Sequence, residues 1–222
     1  MRRVPQCEVL DRDTLSLEAA AESLGDLRMV NRWFGGVSTT AYLLRRSMQR
    51  CNLQSASVLE VAAGDGYSIV QAAERLQREN LHIQPVCLDR RKLRDDCHCC
   101  RSSVVGDALA LPFATETFDF VSCGLFLHHL APEQAVEFVN GALGVARQGV
   151  LINDLRRSPL HLALVHAGTL MMRSPISRID GIASVRQAYT PAELQELLAL
   201  TDASASEIHL RYLFRMGAVV WK

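Results

Sequence analysis

The chain has no surplus of either charge. Its 24 Lys and Arg residues balance 24 Asp and Glu over 222 positions. Nucleic-acid binders usually present a basic face, so no nucleic-acid partner is expected. The arginine-rich pieces, Arg90 to Arg94 and Arg156-Arg157, are short and flanked by acids or apolar residues. No stretch reaches the roughly 18 to 20 uninterrupted apolar residues of a membrane-spanning helix, which excludes stable membrane insertion by that route. The N-terminus begins with Arg2 and Arg3 but continues to Glu8, Asp11 and Asp13 without the apolar segment of a signal peptide. A soluble, cytoplasmic protein is therefore expected. Seven cysteines, an odd number, fit reduced thiols better than a disulfide framework. Internal repeats and low-complexity segments are also lacking.

About half of the chain, 49%, is apolar, which suffices for one sizeable core with an extension. Residues 14–50 read as helical. Leu15, Leu17, Ala20, Ala21 and Leu24 form one apolar stripe. A second piece runs from Leu27 to Phe34 and stops at Gly35-Gly36, and a third spans Thr39 to Arg50. Strand and helix patterns then alternate: strands at 57–61, 86–88, 103–105, 118–123 and 149–153, with helices at about 67–78 and 131–146. An apolar helix follows at 160–172. Thr190-Pro191-Ala192-Glu193 has the spacing of a capping box and opens a helix through Leu200. Residues 207–214 and 216–221 read as an antiparallel hairpin at the sheet edge. The expected fold is α/β: a doubly wound, mostly parallel seven-stranded sheet with a C-terminal antiparallel hairpin and a helical N-terminal extension. The extension, residues 1–50, would act as a lid over a domain of residues 51–222.

Residues 58–66 read Val-Leu-Glu-Val-Ala-Ala-Gly-Asp-Gly. A buried strand here feeds a small-residue turn and then a helix beginning at Tyr67. That arrangement aims backbone N–H groups at a carboxylate, a phosphate or a nucleotide edge. In a doubly wound sheet, ligands bind beyond the carboxyl ends of the strands, where Asp89, Asp107 and this turn would converge. The dinucleotide fingerprint fits poorly, because either alignment of the glycines puts bulky Ile69 or Tyr67 at its third small position. In its favour, Asp89 sits at the usual distance, and Arg90 and Arg91 could hold a 2′-phosphate.

Four ordered segments resemble class I S-adenosylmethionine-dependent methyltransferases. They are Val58 to Gly66, Cys87-Leu88-Asp89, Gly106 to Phe113, and Phe118 to Val121 followed by Leu127-His128-His129-Leu130. The likeness spans about residues 55–155 and lies nearest the small-molecule enzymes, including those of quinone biosynthesis. It implies a Rossmann-like domain with S-adenosyl-L-methionine as cofactor. By the resemblance, Ala62, Ala63, Gly64 and Gly66 would contact the methionine end and Glu60 would orient its ammonium. Asp89, with Arg90 beside it, would take the ribose hydroxyls. Asp107 and the Ala108 backbone would read the adenine amino edge, and Leu125 would line the reacting end. The family prefers glycine where Ala62 stands, and alanine there is tolerable only at negative φ.

Methyl transfer is an in-line displacement on an activated donor. The protein mainly aligns the partners and removes a proton. His128 and His129 are candidate bases, and either could instead merely pack its loop. Asp154 could bind substrate or assist deprotonation, or pair with Arg156 or Arg157. Cys97-His98-Cys99-Cys100 has zinc-ligand residue types at a spacing unsuited to one closed site, so no metal is expected. Arg32-Trp33-Phe34 and the 160–172 helix are natural lid elements, which ordinary packing or a homodimer contact would explain equally. The expected reaction is methyl transfer to a small-molecule acceptor, at an oxygen of an aromatic, phenolic or quinone-like compound. The alternatives are a non-catalytic methyltransferase-like subunit and an NADP-dependent oxidoreductase.

Overall fold

A computed structural model describes residues 1–11, 15–91 and 102–222. Seven strands form one sheet: β1 (Ser55–Val61), β2 (His82–Asp89), β3 (Ser103–Val105), β4 (Phe118–Gly124), β5 (Ala146–Leu155), β6 (Ala205–Arg211) and β7 (Arg215–Trp221). Their spatial order is β3-β2-β1-β4-β5-β7-β6. The first five strands pair in parallel, and β7 lies antiparallel between β5 and β6. The doubly wound sheet and its terminal hairpin are thus as the alternating pattern implies.

Among the described residues, seven α-helices surround it: α1 (Leu17–Trp33), α2 (Gly36–Arg50), α3 (Tyr67–Gln77), α4 (Pro132–Val145), α5 (Pro159–Gly168), α6 (Pro175–Gln187) and α7 (Pro191–Leu198). One face of the sheet carries α2 and α3 over Val58, Phe120, Leu151 and Val219. The other carries α4 and α7 over Leu59, Val121, Val150 and Val220. Both faces of the central strands are covered, which is why these strands read as near-continuous apolar runs. Leu43, Leu44 and Met48 of α2 are fully buried against the sheet, each contributing about 1.5–3 kcal/mol by burial. This helix is a sheet layer, and the part of the chain above the site is α1 with the N-terminal strap of residues 1–11.

Several boundaries differ from the sequence reading. The two pieces expected within residues 15–34 are a single helix, α1, which runs unbroken through Gly25. Polar ends lengthen β2 and β5, with His82 and Ala146 still in register with their neighbours. The helix expected over 160–172 ends at Gly168 and passes into a 3-10 turn at Thr169–Met171. Thr190 and Glu193 form the expected capping box. Helix α6 had no counterpart in the reading. Its buried face includes Asp180 and Gln187, so no clean apolar stripe marks it. Among the described residues, Cys7, Cys51 and Cys123 are free thiols. The Cys97–Cys100 cluster lies outside the described residues. No described helix is long and apolar enough to cross a membrane.

Candidate active site

The carboxyl ends of β1, β2, β4 and β5 open into one cavity of about 480 Å³. Glu60, Ala62, Ala63, Gly64, Asp89 and Arg90 line its floor, and Asp107, Ala108 and Leu125 line it further along. His128 and His129 close one side. Residues spread over some 70 positions of sequence converge because parallel strands place their C-terminal ends on the same edge of the sheet. Two of the expected residues do not reach the cavity surface. Gly66 is the N-cap of α3 at φ +73°, and Asp154 is buried behind His128.

The turn after β1 is tightly wound. Ala62, Gly64 and Gly66 all have positive φ, at +53°, +56° and +73°. Ala62 therefore falls on the unfavourable side of the condition set by its side chain, in a region that costs an L-residue about 1–2 kcal/mol. The turn's N–H groups are also not a free row of donors. Ala63 N–H binds Leu88 O, Gly66 N–H binds Ala63 O, and Tyr67 N–H binds Asp65 Oδ1. Gly64 N–H donates to Asp89 Oδ2 at 2.8 Å. Asp89 thus links β2 to the turn, and burial pushes its carboxyl above the usual range despite that bond. Arg28 of α1 reaches over and pairs with Asp65.

Asp107 is exposed, and its Oδ1 accepts from Leu109 N–H at 3.0 Å, which shapes the loop after β3. Leu125 holds φ +56° where β4 ends, and its N–H binds Asn153 O. Strained φ of this kind clusters at ligand sites. Arg90 and Arg91 donate to the Asp11 carbonyl at 2.7 and 2.9 Å, so both guanidinium groups hold the strap.

The strap crosses the cavity mouth and is fixed mainly by α6. Asp180 accepts the N–H groups of Val9 and Leu10 at 2.8 and 2.9 Å. Arg3 donates to Gln187 O, His128 O and Leu130 O. The strap delivers Glu8, 6% exposed, to the histidine pair. Ser184 Oγ and Gln187 Nε2 both donate to Glu8 Oε1, at 2.5 and 2.8 Å. His128 Nδ1 lies 2.6 Å from Asp154 Oδ1, and its backbone N–H donates to Asp154 Oδ2. His128 Nε2 faces Glu8 Oε1 at 3.4 Å and makes no hydrogen bond among the described residues. His129 Nδ1 lies 2.8 Å from Asp11 Oδ2, while its Nε2 is 3.8 Å from Glu8 Oε2. Burial by itself would lower the His128 pKa, but Asp154 on one side and Glu8 on the other outweigh it and push it up to about 10. The same contacts hold Asp154 and Glu8 below the usual carboxylate range against the opposing effect of burial.

Asp154 pairs with neither arginine that follows it. Arg157 instead binds Glu193 at 2.5 Å and the carbonyls of Met1 and Ala188. Trp33 and Phe34 stay exposed at the end of α1 and do not line the cavity, whereas Leu24, Leu27 and Val30 of the same helix do. Helix α5 contributes only His161 and Val165, and its Leu160 and Leu164 face outward. The sequence reading did not include Glu8, Asp11, Asp180 and Gln187. They come from a charged N-terminal stretch and an unmarked helix, and nothing local signals that they meet His128.

Residues 58–149 match the family described as a methyltransferase domain. No curated protein sequence matches the chain. Solved structures with the same fold include the plantazolicin methyltransferase BpumL in complex with SAH, at TM-score 0.67 and 10% identity over 96% of this chain and 92% of that one. A SAM-dependent methyltransferase from Aquifex aeolicus aligns at TM-score 0.53 and 12% identity, covering 75% and 81%. A Thermotoga maritima protein described as a SAM-dependent methyltransferase, possible histamine N-methyltransferase, aligns at 0.58 and 13%, covering 93% and 98%. Residues 58–149 thus resemble a methyltransferase domain, and the seven-stranded sheet with its antiparallel terminal pair has the fold of these S-adenosylmethionine-dependent methyltransferase structures.

Proposed function

We propose that the chain binds S-adenosylmethionine along the carboxyl ends of β1, β2 and β4 and methylates an oxygen of a small aromatic, phenolic or quinone-like acceptor. The observation that carries this reading is the convergence of Glu60, Gly64, Asp89, Asp107, Leu125 and His129 on one cavity. In this placement Asp89 takes the ribose hydroxyls, a bidentate task suited to a carboxylate. Asp107 and the Ala108 backbone meet the adenine edge. Glu60, 4% exposed, faces the ammonium. With the turn's donors engaged internally, the methionine carboxylate is met by the Arg28 guanidinium, which is 45% exposed beside Asp65.

The acceptor enters under the strap, between Leu125, Leu155, Val165 and Val185, where apolar walls suit a planar ring. Its oxygen attacks the methyl carbon in line. The O–CH3 bond forms as the sulfonium C–S bond breaks, and S-adenosylhomocysteine leaves uncharged. The hydroxyl proton passes to His129 at the cavity edge, while His128, whose pKa is pushed up to about 10, already holds its proton and steadies Glu8. Asp154 touches no reactant and acts as a positioning residue through His128.

The test is transfer of a labelled methyl group from S-adenosylmethionine to a panel of phenols and quinols, with the matched anilines alongside. Label in the phenol or quinol ethers supports the reading. Label confined to the anilines would move the acceptor atom to nitrogen.

A further inference from the structure

Glu8, His128 and His129 each offer one ligand atom, and these atoms all lie within 4.8 Å of one another. The two histidines are arranged alike. Each turns Nδ1 to a carboxylate, Asp154 for His128 and Asp11 for His129, at 2.6 and 2.8 Å. Each then points Nε2 at Glu8, at 3.4 and 3.8 Å. Metal-bound histidines characteristically donate their other ring nitrogen to a carboxylate, which fixes the ring and the tautomer. Glu8 is oriented too, by Ser184 and Gln187 on Oε1.

The spacing also fits. With ligand bonds of about 2.0–2.2 Å, two ligands of a tetrahedral ion stand about 3.3–3.5 Å apart. The 3.4 Å gap between His128 Nε2 and Glu8 Oε1 is in that range, and His129 Nε2 stands slightly further off, 3.8 Å from the other carboxylate oxygen, Oε2, so an ion would draw the three ligands together by a few tenths of an ångström. Independently, the His128 side chain is 2% exposed, and its Nε2 makes no hydrogen bond among the described residues. The two atoms thus stand at ion-pair distance without hydrogen-bond geometry, an arrangement that an ion held between them would satisfy.

We infer that Glu8, His128 and His129 form a site for one divalent first-row transition ion such as Zn(II), with a fourth position open to the cavity. Two imidazoles and one carboxylate suit Zn(II), Fe(II), Co(II) or Ni(II), and two nitrogen ligands disfavour Mg(II) and Ca(II). Three protein ligands and one open position are the pattern of a catalytic rather than a structural ion. The site stands on its geometry. Its part in methyl transfer rests on the reading above, where an ion facing the cavity would lower the pKa of an acceptor hydroxyl so that its proton passes to cavity water rather than to a ligand side chain. The ligands come from segments 120 residues apart in sequence, so no spacing motif could have signalled the site.

The test uses the purified full-length protein, stripped with a chelator and then dialysed against Zn(II), Co(II) or Mg(II) alone. Elemental analysis should find one Zn(II) per chain and no retained Mg(II). The Co(II) form should show visible d–d absorption without a thiolate charge-transfer band. Glu8→Gln and His129→Ala should each lower affinity for Zn(II) at least tenfold, while the triple change of Cys97, Cys99 and Cys100 to Ser leaves it unaltered. Circular dichroism and S-adenosylhomocysteine binding on the same samples report folding and the cofactor site. Absence of bound Zn(II) in wild-type protein, a thiolate band, or loss of zinc only in the cysteine variant would overturn the site. Failure of S-adenosylhomocysteine to bind while zinc is retained would instead overturn the methyl-transfer reading.

Discussion

Ala62 is the residue where sequence and geometry conflict most directly. It holds φ +53° beside the cavity, where glycine would be unstrained. Ala62→Gly relieves about 1–2 kcal/mol of left-handed strain and gives back about 0.4–1 kcal/mol through the more flexible unfolded chain. A net gain of about 0.5–1 kcal/mol is expected in urea melts, and a loss of stability would show that the alanine methyl is packed to advantage. Asp154 raises the opposite case. Asp154→Asn leaves buried His128 with Glu8 as its remaining anion, and breaking a buried pair from one side costs about 3–5 kcal/mol. A measured loss below about 1 kcal/mol would mean that Glu8 alone holds His128. The positions of Asp89 and Asp107 at the cavity were legible because carboxylates at the ends of predicted strands lie at the carboxyl edge of the sheet. Glu8 was not, since its partners lie about 120 and 180 residues away and depend on how the strap is laid down.

Among the elements, the strap and α6 form a unit that periodicity could not reveal. A helix whose inner face binds backbone and carboxylate groups needs polar residues there, so Asp180 and Gln187 occupy positions where an apolar stripe would otherwise appear. The strands were legible for the opposite reason. The central ones have cores that are apolar on both faces; their ends run up to four residues beyond the expected spans, most at β2 and β5, and the span expected over 207–214 ends as a strand at Arg211 and gives way to a 3-10 turn. Asp180→Ala removes the acceptor of two strap N–H groups, each hydrogen bond to a charged group contributing about 1.5–3 kcal/mol. Hydrogen exchange at the Val9 and Leu10 amides should then accelerate at least tenfold while the amides of β1 and β4 keep their protection. Unchanged exchange at Val9 and Leu10 would show that Arg3, Arg90 and Arg91 secure the strap without α6.

For the whole molecule, function depends on topology placing distant strand ends at one edge. The order β3-β2-β1-β4-β5 brings the turn after β1 between Asp89 and Leu125. The same floor could be mistaken for a dinucleotide site, with Arg90 and Arg91 on a 2′-phosphate. In this structure both arginines bind the Asp11 carbonyl, and NADPH is expected to show no saturable binding in a fluorescence titration. Tight NADPH binding lost on Arg90→Ala would favour the oxidoreductase alternative. The central claim is that these strand ends hold S-adenosylmethionine, and calorimetric titration of the chain with S-adenosylhomocysteine, beside Asp89→Asn, tests it most directly. The account predicts one site per chain with micromolar affinity, weakened about 10- to 100-fold in the variant, as loss of charged hydrogen bonds to the ribose requires. Absence of binding by a folded wild-type chain, or equal affinity in Asp89→Asn, would contradict it.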